Sequence, residues 1–216
     1  MTSGCLRELI AHADDRGLAA SGLGCLERCL PPHEIGAGAL RGLWTAVAKE
    51  PQEWPDRLAA AQRELAADPV DGAPADTDTD TDAGIEGDGP DAATALVREL
   101  LAAAPTVWAA GPLRTWAEEC SAAALTLHHR FDAGSGADGT GGAEPPEAAE
   151  VVEGCREGHP AGAGPLVTGE LRRQIRTLEI LADPELGTGL RPVLTVAAEG
   201  QRVLRAAVSR RARVRH

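Results

Sequence analysis

Cys25, Cys29 and His33 form the densest grouping of soft metal ligands in the chain. Thiols four residues apart share one side of a helix, and the Cys-x3-Cys-x3-His spacing can bring two thiolates and an imidazole to one ion. Zinc or iron would need a further ligand, which Cys5, His12, Cys155 or His159 would have to supply from elsewhere in the chain. Against this, the cysteines of structural zinc sites usually stand closer together, in knuckles. A free cysteine beside a leucine stripe more often packs as a small buried hydrophobe. Packing is therefore the expected role of Cys25 and Cys29, with a metal- or thiol-dependent protein as the alternative. No cofactor is expected by default.

The alternating carboxylates of Asp76–Asp82 are the second chemical feature. Asp78, Asp80 and Asp82, followed by Gly84, Ile85 and Glu86, resemble the front of an EF-hand calcium loop, which needs oxygens at positions one, three and five. Position six, where that loop requires glycine, is Ala83, and position twelve, where it requires glutamate, is Gly89. The stretch reads instead as a solvated acidic linker. Gly134-Ser-Gly-Ala-Asp-Gly139 matches G-x-G-x-x-G in form only, because a dinucleotide loop needs a strand before it and a helix after it. His128 and His129 fall near a helix C-terminus, where an imidazolium suits the dipole, and a surface or capping role is expected for both. No nucleophile elbow, ordered Ser/His/Asp set or paired-carboxylate motif accompanies them. No catalytic residue is assigned, and the protein is read as non-enzymatic.

Two features point to a partner. Trp108 lies between Pro105 and Gly111, off any apolar stripe, and is a candidate for lining a groove or a contact. From Gly200 onward the chain carries six arginines and no acidic residue: Arg202, Arg205, Arg210, Arg211, Arg213 and Arg215. Such a face suits a phosphate, a nucleic acid or an acidic protein surface. The formal net charge of −12 opposes general nucleic-acid binding, which depends on neutralising phosphates. A DNA-binding regulator acting through the last helix is thus a secondary alternative, and no helix-turn-helix pattern supports it. The segment from Asp68 to Asp91 holds nine acidic residues and no basic one. That segregation suggests an acidic linker competing for the arginine-rich end until another protein displaces it.

The elements that must position these residues are all helical. Leu6, Leu9, Ile10 and Ala13 recur at helical spacing, with Ser3 as cap and Gly17 as stop. A second helix is expected over Ala19–Leu30, a third over His33–Glu50 and a fourth opening at Pro51 with Trp54, Leu58, Ala61 and Leu65 on its stripe. Ala92–Ala104 and Leu113–Phe131 form a central pair, the latter with Leu113, Trp116, Cys120, Ala124, Leu127 and Phe131 on one face. Thr168 caps Leu171–Ala182, striped by Leu171, Ile175, Leu178 and Leu181. Pro192 opens Val193–Ser209, with Ala197, Gly200, Leu204 and Ala207 inward. Leu40-Arg41-Gly42-Leu43-Trp44 and Leu113-Arg114-Thr115-Trp116 echo one another without a sustained period.

The predicted architecture is an all-α irregular bundle of about seven or eight short helices with two disordered acidic or Gly/Pro-rich loops. Residues 1–67 hold four helices, 68–91 the acidic linker, 92–131 the central pair and 132–165 a flexible loop with room for a short helix around Glu147–Arg156. Residues 166–209 supply a helical pair on the same core, and 210–216 a basic tail. The single Lys and Phe and the absence of Tyr and Asn point to codon bias in a high-GC, actinomycete-like bacterial genome. Five irregularly spaced cysteines and the lack of a basic-then-apolar leader or of a long apolar run predict a reduced, cytoplasmic protein away from membranes.

Overall fold

The computed structural model describes residues 4–30, 36–66, 90–133, 147–183 and 189–214. The acidic run Asp76–Asp82, His33, the glycine motif at 134–139 and Arg215 lie outside them. Helix α1 spans Leu6–His12, α2 Asp15–Cys29 and α3 Gly36–Lys49, after which a 3-10 turn, Pro51–Glu53, leads into α4, Trp54–Ala66. Beyond come α5 (Pro90–Ala102), α6 (Ala110–Ala133), α7 (Ala148–Arg156), α8 (Pro165–Ala182) and α9 (Arg191–Val214). The described residues are all-α, as their 3.6-residue periodicity requires, and none of their helices is long and apolar enough to cross a membrane.

Helix α2 is the axis of the bundle. From Gly17 to Leu30 every residue but Glu27 is buried, and α3, α5, α6, α8 and α9 all pack against it. Its small residues permit this crowding: a Cβ on Gly22 would stand 2.5 Å from Cζ3 of Trp116 on α6. A helix enclosed on every side shows no apolar stripe. The second helix accordingly starts four residues earlier than its leucine spacing implies. Gly17 is not a stop for the first helix. The Asp14 carboxylate accepts the Gly17 N–H at 2.7 Å and caps α2, and α1 ends at His12.

The indole N–H groups lock the neighbouring helices. Trp54 donates to the Pro105 carbonyl at 2.7 Å, Trp116 to the Leu100 carbonyl at 2.8 Å and Trp44 to the Glu27 carboxylate at 2.7 Å. The stripe of α6 is buried as its spacing predicts, with Leu113, Trp116, Cys120, Ala124, Leu127 and Phe131 all in the core.

Residues 147–165 hold more order than their composition suggests. Asp132, at the end of α6, accepts the N–H groups of Leu166 and Val167, each at 3.0 Å, and so caps α8 from outside. Gly164 makes that approach possible, since a Cβ there would collide with the Asp132 carboxylate. Helix α8 therefore begins at Pro165, ahead of Thr168, and α7 forms within the expected loop. Helix α9 runs on through Arg210, Arg211 and Arg213, so these are helical residues rather than a loose tail.

Candidate functional site

Three helices place ionisable side chains in the buried centre of the bundle. Arg28, 1% exposed on α2, meets Glu170, fully buried on α8. Its Nε donates to both carboxylate oxygens at 2.9 Å, and Nη2 lies 2.8 Å from Oε1. Gln174, one turn along α8, donates to Glu170 Oε1 at 3.0 Å and accepts the Ser121 hydroxyl at 2.6 Å through its own Oε1. His128 on α6 is also fully buried. Its Nδ1–H donates to the Ala124 carbonyl at 2.7 Å, and Nε2 faces Glu170 Oε2 at 3.8 Å.

The electrostatics follow from these contacts. Burial alone would raise the pKa of Glu170, but the Arg28 guanidinium, then His128, then hydrogen bonds from Arg28 and Gln174 outweigh it. The carboxyl is held below its ordinary range. Burial would lower the pKa of Arg28, and Glu170 overrides it, so the guanidinium is charged. The thiols behave oppositely. Burial pushes Cys25 up to about 12 against the pull of Arg28, and raises Cys29 and Cys120 well above the usual thiol range. The thiolate, the form that ligates zinc or attacks an electrophile, is therefore disfavoured at all three.

The sequence-derived sites are distributed as follows. Cys25 and Cys29 are buried beside Arg28, whose Nη2 lies 3.4 Å from Cys25 Sγ. Among the described residues no three His, Cys, Asp or Glu side chains gather as a metal-ligand set. His128, read from its position as a surface or capping residue, is instead part of the buried cluster. Glu170, Gln174, Ser121 and Arg28 have no local motif that marks them, because polar residues at helical spacing read as a solvent face. The available signal was the small-residue content of α2, which marks a helix with no solvent face to offer.

Trp108 is half-buried, edge-on to Trp54 with ring centroids 5.3 Å apart. Its free side borders a shallow cleft of about 470 Å³ shared with Asp15, Arg16, Val47, Lys49 and Pro51. The neighbouring Val107 is 61% exposed. A groove of about 600 Å³ between α1 and α8 is lined by Leu9, Ala13, Leu178 and Leu181, with Glu8 and His12 on its rim. Neither of these two clefts touches Glu170 or His128.

On α9, Arg202, Arg205, Arg210 and Arg213 are exposed, opposite the buried Val193, Ala197, Gly200, Leu204 and Ala207. Arg211 stands apart from them, its guanidinium 5.2 Å from the centroid of the Phe131 ring. No protein-family model, no curated protein and no solved structure matches this chain.

Proposed function

We propose that this is a cytoplasmic, non-enzymatic interaction protein whose outer α9 face docks an acidic surface of another protein. The observation that carries the reading is the arginine row on α9. Arg202, Arg205, Arg210 and Arg213 share the outward side of a helix about 36 Å long at 1.5 Å per residue, whose opposite side is sealed into the core. A row of guanidiniums along one helix in a chain of net charge −12 is a local inversion of sign, and guanidinium forks pair well with carboxylates. The segment from Asp68 to Asp91, with nine acidic residues, is an internal competitor for that face. It would lower affinity for weak partners and add to the salt dependence of strong ones.

The test uses the full chain with Asp76, Asp78, Asp80 and Asp82 all replaced by Asn, titrated with poly-glutamate as the model acidic surface. The expected result is several-fold tighter binding than the parent chain at low salt, converging as salt is raised. Reversing Arg202 and Arg205 to Glu should abolish binding in both backgrounds. Identical affinity and salt dependence with and without the four aspartates would refute the competition. Binding that survives the Arg202 and Arg205 reversal would refute the docking face.

A further inference from the structure

Trp44, Trp54 and Trp116 spend their indole N–H groups inside the protein, on Glu27, Pro105 and Leu100. Trp108 does not. Among the described residues its N–H has no acceptor, and the nitrogen is open to solvent although the residue is half-buried. The ring is held in place all the same. It stands edge-on to Trp54, and its loop is tied at both ends. The Pro105 carbonyl accepts from Trp54, and the Ala109 carbonyl accepts the Leu113 N–H at 3.1 Å as α6 begins. The cleft of about 470 Å³ that Trp108 borders takes its apolar surface from Val47, Ala48 and Pro51. Val107, its neighbour in the chain, is 61% exposed.

A fixed aromatic ring with an unspent donor, on a shallow apolar cleft, selects a ligand with unspent acceptors. A docked helix offers none along its length, because its carbonyls are bonded within it. An added strand needs a free sheet edge, and the lining residues belong to two helix ends, a 3-10 turn and a loop. A polyproline II segment keeps every carbonyl free, costs little to order and presents proline rings that pack on an indole. We propose that the Trp108 cleft binds a proline-rich segment of another protein in that conformation, with the indole N–H donating to one of its carbonyls. The rim sets the flanking charges. Asp14 caps α2, and Arg16 Nε donates to the Val47 carbonyl at 3.3 Å. Asp15 and Lys49 have no partner among the described residues, so the prolines fit between a basic and an acidic residue. This site does not depend on the docking role of α9.

The test is a magnetic-resonance titration of the isotope-labelled full chain with a capped peptide carrying three prolines between an arginine and a glutamate. The comparison peptide has alanine in place of each proline. The expected result is a downfield shift of the Trp108 indole N–H signal that saturates with the proline peptide and is absent with the alanine one. Trp108→Phe keeps a ring against Trp54 but removes the donor. Followed at the Lys49 amide, it should weaken binding about fivefold, the worth of a neutral hydrogen bond. Asp15→Lys reverses the free charge at the rim and should weaken binding about fivefold at low salt. Should either variant fail to fold, the two peptides on the parent chain decide alone. The proposal is overturned by an unmoved Trp108 signal at millimolar peptide, by equal binding of the alanine peptide, or by parental affinity in Trp108→Phe or Asp15→Lys.

Discussion

At the scale of the residue, the centre of gravity is the Arg28–Glu170 pair. Two charges withdrawn from water recover their desolvation only through good geometry, and removing one partner strands the other. Here the geometry is a fork of three short contacts with Gln174 behind it, so Glu170→Gln leaves a buried guanidinium facing an amide. That change should cost about 3–5 kcal/mol at neutral pH, measured by chemical denaturation. The pH dependence follows from the depressed pKa of Glu170. Its stabilisation is present in full above the ordinary carboxyl pKa, 4.5, where both folded and unfolded chains hold it ionised. Below that, the unfolded chain takes up the proton first, and the advantage shrinks as pH falls through the folded-state value. The gap between parent and Glu170→Gln should therefore narrow steadily from pH 5 downward. A gap that is constant from neutrality to pH 3 would show that the carboxylate charge is not what Arg28 responds to. The only trace of this in the sequence is the small-residue content of α2. Glu170 and Gln174 are polar residues on an amphipathic helix, which ordinarily face water, and only the enclosure of α2 brings them inward.

At the scale of the element, legibility tracked how one-sided each helix is. The stripe on α6 was readable to the residue, because its other side carries Glu118, Arg130 and further partly exposed positions that supply the contrast. The inward side of α9 was readable for the same reason. The leucine spacing marks α2 as a helix over Ala19–Leu30 but not its start or its enclosure, since a segment rich in Gly, Ala, Ser and Cys that is buried all round has no polar side to set its period. Its start is coded instead by the single carboxylate of Asp14, and that of α8 by Asp132, which lies over thirty residues away along the chain and had no local signature. These close approaches make sharp demands. Gly22→Ala would drive a methyl into the Trp116 ring, whose indole is held by the Leu100 carbonyl and cannot swing aside cheaply. A loss of about 1–3 kcal/mol in thermal or denaturant unfolding is expected, the usual cost of overpacking. Ala11, exposed on the outer side of α1, accepts a comparable enlargement to Leu with little change. A tolerated Gly22→Ala would mean that α2 and α6 are not held at the separation described.

At the scale of the whole molecule, the arrangement is a hub. Helices α3, α5, α6, α8 and α9 touch α2, while α1 and α7 lean on α6 and α8 from outside and on one another through the Arg7–Glu153 ion pair. Contacts of α2 with α8 and α9 close loops of well over one hundred residues, as the Arg28–Glu170 and Gln201–Leu30 bonds show. The hub cannot be exposed without parting most of those interfaces together. Native-state amide exchange should therefore rank the elements in a particular order. Amides from Leu18 to Cys29 should exchange only through global opening, with protection equal to the stability measured by denaturant. Those of α6 should follow. Amides of α7 and of the final turn of α9 should exchange by local fraying, since each is covered on one side alone. The ranking bears on function as well. If the outer side of α9 receives a partner, docking there can be accommodated by movements of its last turn without disturbing Arg28, because Gly200 and Leu204 anchor the middle of the helix in the core. Exchange of α2 at rates matching α7 would remove the hub, and with it the reason a chain of this charge sustains an ion pair at its centre.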